Sequence, residues 1–281
     1  MINFNGKLQQ ENEANLSITN RGYAYGDSVF ETIRVINGKV MFWEDHYFRL
    51  MASMRIMRME IPHEFSPEFL EEQIIDLIKA NKLQDKPVRV KFSVFRKEGG
   101  LYTPEVRDIE YFILTSEIQH SFYTLNEGFY EVELFKDHYI NSGLLSTIKT
   151  NNKAVNVLGG IFAKENNYHN CLLVNEKKSV VEALNGNLFV VKGDKIKTPP
   201  LTDGALNGIT RKQLMNVIKK LQEYKFEEAS ISPFELQKAD ELFITNVIVG
   251  IQPISKYRKK EYTNTVAKDL LAKLNAKARL G

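Results

Sequence analysis

The sequence predicts a mixed α/β protein of two domains, a small α+β domain followed by a larger α/β one. Three observations carry that reading. The chain has 281 residues, more than one ordinary domain needs. Short β-branched runs recur along it, among them Val29–Val35, Val88–Phe95, Ile109–Ser116 and Tyr130–Phe135. Between them lie segments whose apolar residues recur at helical spacing, and mixed runs of this kind exclude an all-α or all-β domain.

The elements follow in order. Ile2–Gly6 reads as a first strand and turn. Val29–Val35 alternates as a half-buried strand does, Asn37-Gly38 is a two-residue hairpin turn, and Val40–Trp43 is the expected partner. Residues 44–58 form a predicted helix with Tyr47, Leu50, Met51 and Met54 on one face. Ser66-Pro67 opens the next, with proline at the first helical position and Leu70, Ile74, Leu77 and Ile78 as its stripe. The strands Val88–Phe95 and Ile109–Ser116 are joined by a loop through Gly99–Pro104. Residues 1–118 thus form the expected first domain, 119–128 a linker without periodicity, and 129–281 the second domain.

In the second domain the strand Tyr130–Phe135 leads to an extended run at Ser146–Ile148, with Lys149 at its end. A helix is expected from Ala154 to about Asn166, then a strand at Leu172–Val174 and a turn at Asn175–Lys178. Thr210 opens a helix with Leu214, Val217, Ile218 and Leu221 inward. Phe226–Ser232 reads as an edge strand, Pro233 starts a short helix, and Leu242–Gly250 and Ile251–Ile254 are late strands. A terminal helix carries Val266, Leu270 and Leu274.

Composition narrows the classes of function. Hydrophobic residues make up 43% and charged residues 26%, the balance of an ordinary globular protein. A net charge of +3 without a long Lys/Arg block argues against nucleic acid as a partner. The single cysteine, Cys171, forms no internal disulfide, fits a reducing cytoplasm, and reads as a buried structural residue. No apolar run reaches membrane-spanning length, no signal-peptide core opens the chain, and the five histidines lack ligand spacing. No metal site and no membrane partner are expected.

The chemistry concentrates between Lys149 and Arg211. A lysine amine in a site of low polarity loses its proton and can form a Schiff base with an aldehyde. A carboxylate such as Glu182 can hold the protonated nitrogen of a pyridine ring. Gly208-Ile209-Thr210 opens a helix, where free N–H groups and a hydroxyl make a phosphate site. Aldehyde, pyridine and phosphate together describe pyridoxal phosphate.

The order and spacing of these residues resemble the fold-type IV pyridoxal-phosphate enzymes, the class IV aminotransferase family. That group includes branched-chain aminotransferases, D-amino-acid transaminases and aminodeoxychorismate lyases. The resemblance runs from Arg21-Gly22 to Pro253 and is most specific from Glu182 to Gly208-Ile-Thr-Arg211. It implies a two-domain fold with the active site at the domain interface, pyridoxal 5′-phosphate as cofactor, and a homodimer. In that dimer Tyr23–Phe30 lies at the boundary with the other subunit.

Residue by residue, the resemblance implies Lys149 as the catalytic, cofactor-bearing lysine. Lys153 lies close, but the separation of 33 residues from Lys149 to Glu182 matches the family pattern without a gap. The segment His46-Tyr-Phe-Arg49-Leu50 is similar to the family's His-x-x-Arg-Leu, which assigns Arg49 to the cofactor phosphate. Ile209 and Thr210 correspond to the phosphate cup, and Asn246 and Val247 to a second loop reaching phosphate or substrate. Asn152 stands near the place of a family tyrosine that bonds the cofactor hydroxyl. Phe30, Arg96 and Tyr102 are the expected substrate contacts.

The implied activity is transfer of an amino group between an amino acid, branched-chain ones among the candidates, and a 2-oxo acid. The alternative is an aminodeoxychorismate lyase releasing 4-aminobenzoate and pyruvate. The loop Gly99–Pro104 lacks the Arg and His of D-amino-acid transaminases. Thr245-Asn246 to Pro253 is closer to the lyases than to the Gly-Thr of branched-chain enzymes.

Overall fold

The computed structural model describes residues 1–280. Two compact units make up the chain, Met1–Ser121 with Ile148–Asn152, and Phe122–Thr147 with Lys153–Gly281.

The first unit contains β1 (Ile2–Phe4), β2 (Lys7–Gln9), α1 (Arg21–Tyr25), β3 (Ser28–Ile36), β4 (Lys39–Val40), α2 (Trp43–Ile56), α3 (Pro67–Ala80), β5 (Val88–Arg96) and β6 (Ile109–Glu117). Its six strands form one antiparallel sheet in the order β2-β1-β6-β5-β3-β4. Period-two alternation gives β3 one apolar face of Val29, Ile33 and Val35, and β5 one of Val88, Val90, Phe92 and Val94. These pack with Leu50, Met51 and Met54 of α2 and Leu70, Ile74, Leu77 and Ile78 of α3 in one core. Each such side chain contributes about 1.5–3 kcal/mol by leaving water.

Asn37 and Gly38 both have positive φ, +49° and +74°, as a type I′ hairpin requires. The β4 strand is shorter than expected. Phe42 takes a left-handed conformation as N-cap of α2, which starts at Trp43 and consumes the rest of the predicted partner strand. Ser66 caps α3 by accepting from Phe69 N–H, with Pro67 at its first turn.

The second unit contains β7 (Glu131–Ile140), α4 (Leu144–Thr147), α5 (Ala154–Glu165), β8 (Asn170–Asn175), β9 (Val180–Ala183), β10 (Gly186–Lys192), β11 (Lys195–Thr198), α6 (Ile209–Ile218), β12 (Lys225–Glu228), α7 (Pro233–Lys238), β13 (Glu241–Asn246), β14 (Gly250–Ile254), β15 (Lys256–Tyr257), β16 (Lys260–Glu261) and α8 (Thr265–Leu280). The ten-stranded sheet is mixed, with β7–β8, β11–β12 and β7–β15 parallel. β7, α5 and β8 form a parallel crossover unit. Near-continuous apolar burial in β8, β9 and β10 matches strands covered on both faces.

Ser146-Thr147, expected to be extended, belongs to the helical turn α4. Side chains favour the turn: Ser146 Oγ donates to Asn141 O and Thr147 Oγ1 to Leu144 O. α6 stops at Ile218, so Leu221 lies beyond the helix it was expected to anchor.

Candidate active site

The residues singled out in the sequence fall into two groups, one in each unit. In the first, residues 149–151 run antiparallel to the start of β3. Phe30 N–H donates to Lys149 O at 2.8 Å, Thr150 bridges Val29, and Asn151 N–H donates to Ser28 O at 3.2 Å. These backbone bonds fix Lys149, whose Nζ lies 4.5 Å from the centre of the Phe30 ring. Asn152, the candidate for the cofactor hydroxyl, is exposed, its backbone beside Gly26.

Arg49 is organised by a residue that the sequence reading passed over. Glu31 shares the inward parity of Val29, Ile33 and Val35 and is 2% exposed. It accepts from Arg49 Nε at 2.7 Å, from Arg49 NH2 at 2.5 Å, and from His46 Nδ1 at 2.7 Å. His46 and Arg49 lie three residues apart on α2, so both reach the same carboxylate. Burial alone would raise the Glu31 pKa. The Arg49 charge and the two hydrogen-bond donors outweigh it and lower the pKa to about 2. Burial pushes the pKa of His46 down despite Glu31, which keeps the imidazole neutral with its proton on Nδ1. His46 Nε2 is buried with no hydrogen-bond partner among the described residues.

Arg96 and Tyr102 belong to a neighbouring arrangement. The Arg96 guanidinium donates to Asp27 through Nε (2.8 Å) and NH2 (3.3 Å), to Met57 O at 2.6 Å and to Arg58 O at 3.0 Å. Arg21 also grips Asp27, at 3.0 Å, and donates to Gly99 O and Leu101 O at 3.0 and 2.6 Å. Arg21 thereby holds the loop that carries Tyr102, which is 90% exposed with its ring 5.7 Å from Tyr25. Arg96 is thus committed to Asp27 and backbone carbonyls.

In the second unit Glu182 sits on β9, 9% exposed, and accepts from Leu206 N–H at 2.9 Å and from Asn187 Nδ2 at 3.4 Å. Asn187 also donates to Leu206 O at 2.9 Å, so one side chain ties Glu182 to the loop before α6. A Cβ on Gly208 would come within 2.0 Å of Asn187 Oδ1, so only glycine lets this loop close. Lys153, the N-cap of α5, faces the same carboxylate: burial pushes its pKa down and the Glu182 charge opposes the shift.

Gly208 is the N-cap of α6 and no acid stands in the helix's first turn. Ile209 and Thr210 are buried there, and Thr210 Oγ1 has no hydrogen-bond partner among the described residues. Thr245 pairs with Asn187 across β10 and β13, and its Oγ1 is likewise buried without a partner. Asn246 shapes the following turn, accepting from Ile248 and Val249 N–H at 3.0 Å and donating to Asn185 O at 3.0 Å. Val247 O accepts from Tyr123 at 3.0 Å. Cys171 is fully buried, burial lifting its thiol pKa to about 12, in keeping with a structural residue.

The first unit thus holds an amine beside an aromatic ring, and the second a tethered carboxylate ahead of a helix N-terminus; comparison with known proteins gives the family. The family model for class IV amino-transferases matches residues 28–257. A D-alanine aminotransferase of Bacillus licheniformis is 28% identical over 257 residues, covering 90% of this chain and 86% of that protein. A Methanocaldococcus jannaschii protein provisionally named a branched-chain-amino-acid aminotransferase is 28% identical over 276 residues, covering 98% and 94%. The crystal structure of the branched-chain amino acid aminotransferase of Thermobaculum terrenum in its PLP form superposes with a TM-score of 0.86 at 24% identity, over 99% of this chain and 93% of that one. The chain belongs to the class IV aminotransferase family.

Proposed function

We propose that this protein is a pyridoxal-phosphate-dependent aminotransferase that moves an amino group between an amino acid and a 2-oxo acid. The observation that carries the reading is the α6 N-terminus: Gly208, two residues beyond the Leu206 N–H that holds Glu182, then Ile209 and a buried Thr210 hydroxyl with no hydrogen-bond partner among the described residues. An anion with several acceptor oxygens satisfies those donors, and Gly208 leaves room for its approach. The residues therefore fit the cofactor.

When bound, the cofactor supplies an electron sink that lets the substrate Cα lose its proton. Lys149 would hold the cofactor through its amine, and the same amine is the group that would move the proton at the substrate Cα. Glu182, held by Leu206 N–H and Asn187, would accept a hydrogen bond from the cofactor's ring nitrogen and favour its charged form. Ile209 and Thr210 N–H and Thr210 Oγ1 would hold the phosphate; the family resemblance gives Arg49 a phosphate role as well, and Glu31 fixes the plane of that guanidinium. The turn at Asn246 and Val247 completes the phosphate or substrate contacts, and Asn152 is the donor for the cofactor hydroxyl. Phe30 and Tyr102 would face the substrate, whereas the Arg96 guanidinium is taken up by Asp27, Met57 O and Arg58 O.

No helix among the described residues is long and apolar enough to cross a membrane. We take the protein to work in the cytoplasm, where its one cysteine stays reduced.

The test is purified protein with pyridoxal phosphate. A visible absorption band, its loss on borohydride treatment, and a reduced adduct mapped to Lys149 are the expected results. They should be accompanied by amino transfer from at least one amino acid to a 2-oxo acid. An adduct on Lys153 overturns the choice of lysine. Release of 4-aminobenzoate from aminodeoxychorismate without amino transfer makes the protein a lyase instead.

A further inference from the structure

Residues 122–128 carry neither helical nor strand periodicity, yet they dock on the β13–β14 hairpin, and Tyr123 anchors them there. Tyr123 is 5% exposed, and its hydroxyl donates to Val247 O at 3.0 Å. Its ring lies against Gly250, where a Cβ would come within 2.6 Å of Tyr123 Cγ. Gly250 has φ +73°, so glycine serves both the turn and the close approach of the ring. Three residues beyond Tyr123, Asn126 Nδ2 donates to Gln252 Oε1 at 3.3 Å. On its other side Tyr123 is gripped by α8. Its N–H donates to Asn275 Oδ1 at 3.0 Å, and its carbonyl accepts from Asn275 Nδ2 at 2.8 Å. One amide side chain thus satisfies both backbone groups of Tyr123, and α8 itself packs on β13, β14 and α6.

The hydroxyl meets a turn whose other polar groups are already taken. Asn246 Oδ1 accepts from Ile248 and Val249 N–H, both at 3.0 Å. The peptide between Val247 and Ile248 is therefore held at opposite edges, its N–H by Asn246 and its carbonyl by Tyr123. A planar unit held at both edges does not flip. Of the amides of residues 247–249, two are spent on Asn246, which leaves Val247 N–H as the one the turn can offer a ligand. Pinning Val247 O restrains the backbone of that same residue, and with it the direction of its N–H.

We propose that Tyr123 is a positioning residue that keeps the Asn246–Val247 turn in the one conformation that receives an anionic group, the phosphate of the cofactor or the carboxylate of the substrate. The proposal rests on the reading of that turn as a phosphate or substrate contact. Tyr123 touches neither ligand and acts through Val247. Without its hydroxyl, Val247 O loses its partner and the turn samples other arrangements. Affinity for the anion then falls by the fraction of time the turn spends out of place.

The experiment compares wild type with Tyr123→Phe, which removes the hydroxyl and keeps the ring against Gly250, and with Asn275→Ala, which frees the Tyr123 backbone. Three quantities are read: the Kd of pyridoxal phosphate from the visible band, KM and kcat of the loaded enzyme for an amino donor, and hydrogen exchange of the residue 247–249 amides. In Tyr123→Phe the Ile248 and Val249 amides should exchange faster by roughly 2- to 10-fold, the range of one neutral hydrogen bond, while those of β10 stay as they were. A Kd weakened by a similar factor identifies the phosphate as the anion held. A raised KM at unchanged Kd identifies the substrate carboxylate, and the loss should then lie in KM rather than kcat. Asn275→Ala should move the same quantity, and the double variant should fall short of the sum of the two. Kd and KM both at wild-type values in Tyr123→Phe overturn the proposal whatever the exchange rates. So does faster exchange spread evenly over β10, β13 and β14, the mark of a general loss of stability. A wild type that binds pyridoxal phosphate but transfers no amino group refutes the aminotransferase reading instead, and Kd with the exchange rates then decides the role of Tyr123 separately.

Discussion

Glu31 accepts from Arg49 and His46 within a strand face otherwise made of valine and isoleucine, so its charge is both a structural and a functional quantity. Its folded pKa of about 2 lies below the ordinary 4.5, so the stability it contributes is present above pH 4.5 and is lost as the pH falls toward 2. His46, held neutral, adds to acid destabilisation in the same direction, starting below its ordinary 6.5. Urea midpoints measured against pH should show Glu31→Gln less stable at pH 7 and flatter than wild type between pH 4.5 and 2; parallel curves would refute the assignment. Arg49→Ala leaves that buried carboxylate with the neutral His46 but no cation beside it, a loss of about 3–5 kcal/mol in stability, and should weaken cofactor binding as well. Arg55→Ala, on the exposed side of α2, should do neither. Glu182→Gln keeps the shape and removes the charge. Single-turnover reaction with a good amino donor should slow roughly 100–1000-fold while Lys149 still anchors the cofactor, and wild-type speed in that variant would rule out the ring-nitrogen role.

At the scale of elements, the loop before α6 is built around the absence of one methyl group. Gly208→Ala must push Asn187 away from Leu206 and with it loosen the tether on Glu182. Cofactor affinity should drop by at least tenfold with the fold retained, as measured by titration of the visible band and by circular dichroism. Legibility at this scale follows local rules. The Asn37-Gly38 turn, the Ser66-Pro67 and Ser232-Pro233 helix starts and the apolar stripe of α3 were readable because their causes lie within a few residues. The turn at Ser146-Thr147 was not, since a β-branched, hydroxyl-rich run reads as extended until its side chains find carbonyls to bond. Glu31 carried a signal, a charge at apolar parity, whereas Tyr123 carried none, because an aromatic residue in a segment without periodicity gives no hint of what it packs on. Asn187 became informative only once Leu206 and Gly208 were seen beside it.

Across the whole molecule, apolar side chains remain exposed on α4 and α5, with Leu144, Leu145, Val157, Leu158 and Ile161 in the second unit. Residues 157, 158 and 161 form a helical stripe of a kind that globular proteins usually cover. Light scattering should give twice the chain mass, and the double variant Val157→Glu/Ile161→Glu should shift that mass toward a monomer. An unchanged mass in the double variant would place the subunit boundary elsewhere. The five residues Ile148–Asn152 belong with the first unit, although the chain on both sides of them belongs to the second. The polypeptide accordingly crosses from one unit to the other at three points rather than one. A gene cut between Ser121 and Phe122 therefore does not separate two autonomous modules. It leaves Lys149 on one fragment and the Phe30 N–H that positions it on the other. Co-expressed halves should regain activity only by reassembling, which makes the break a natural point for a split reporter of association.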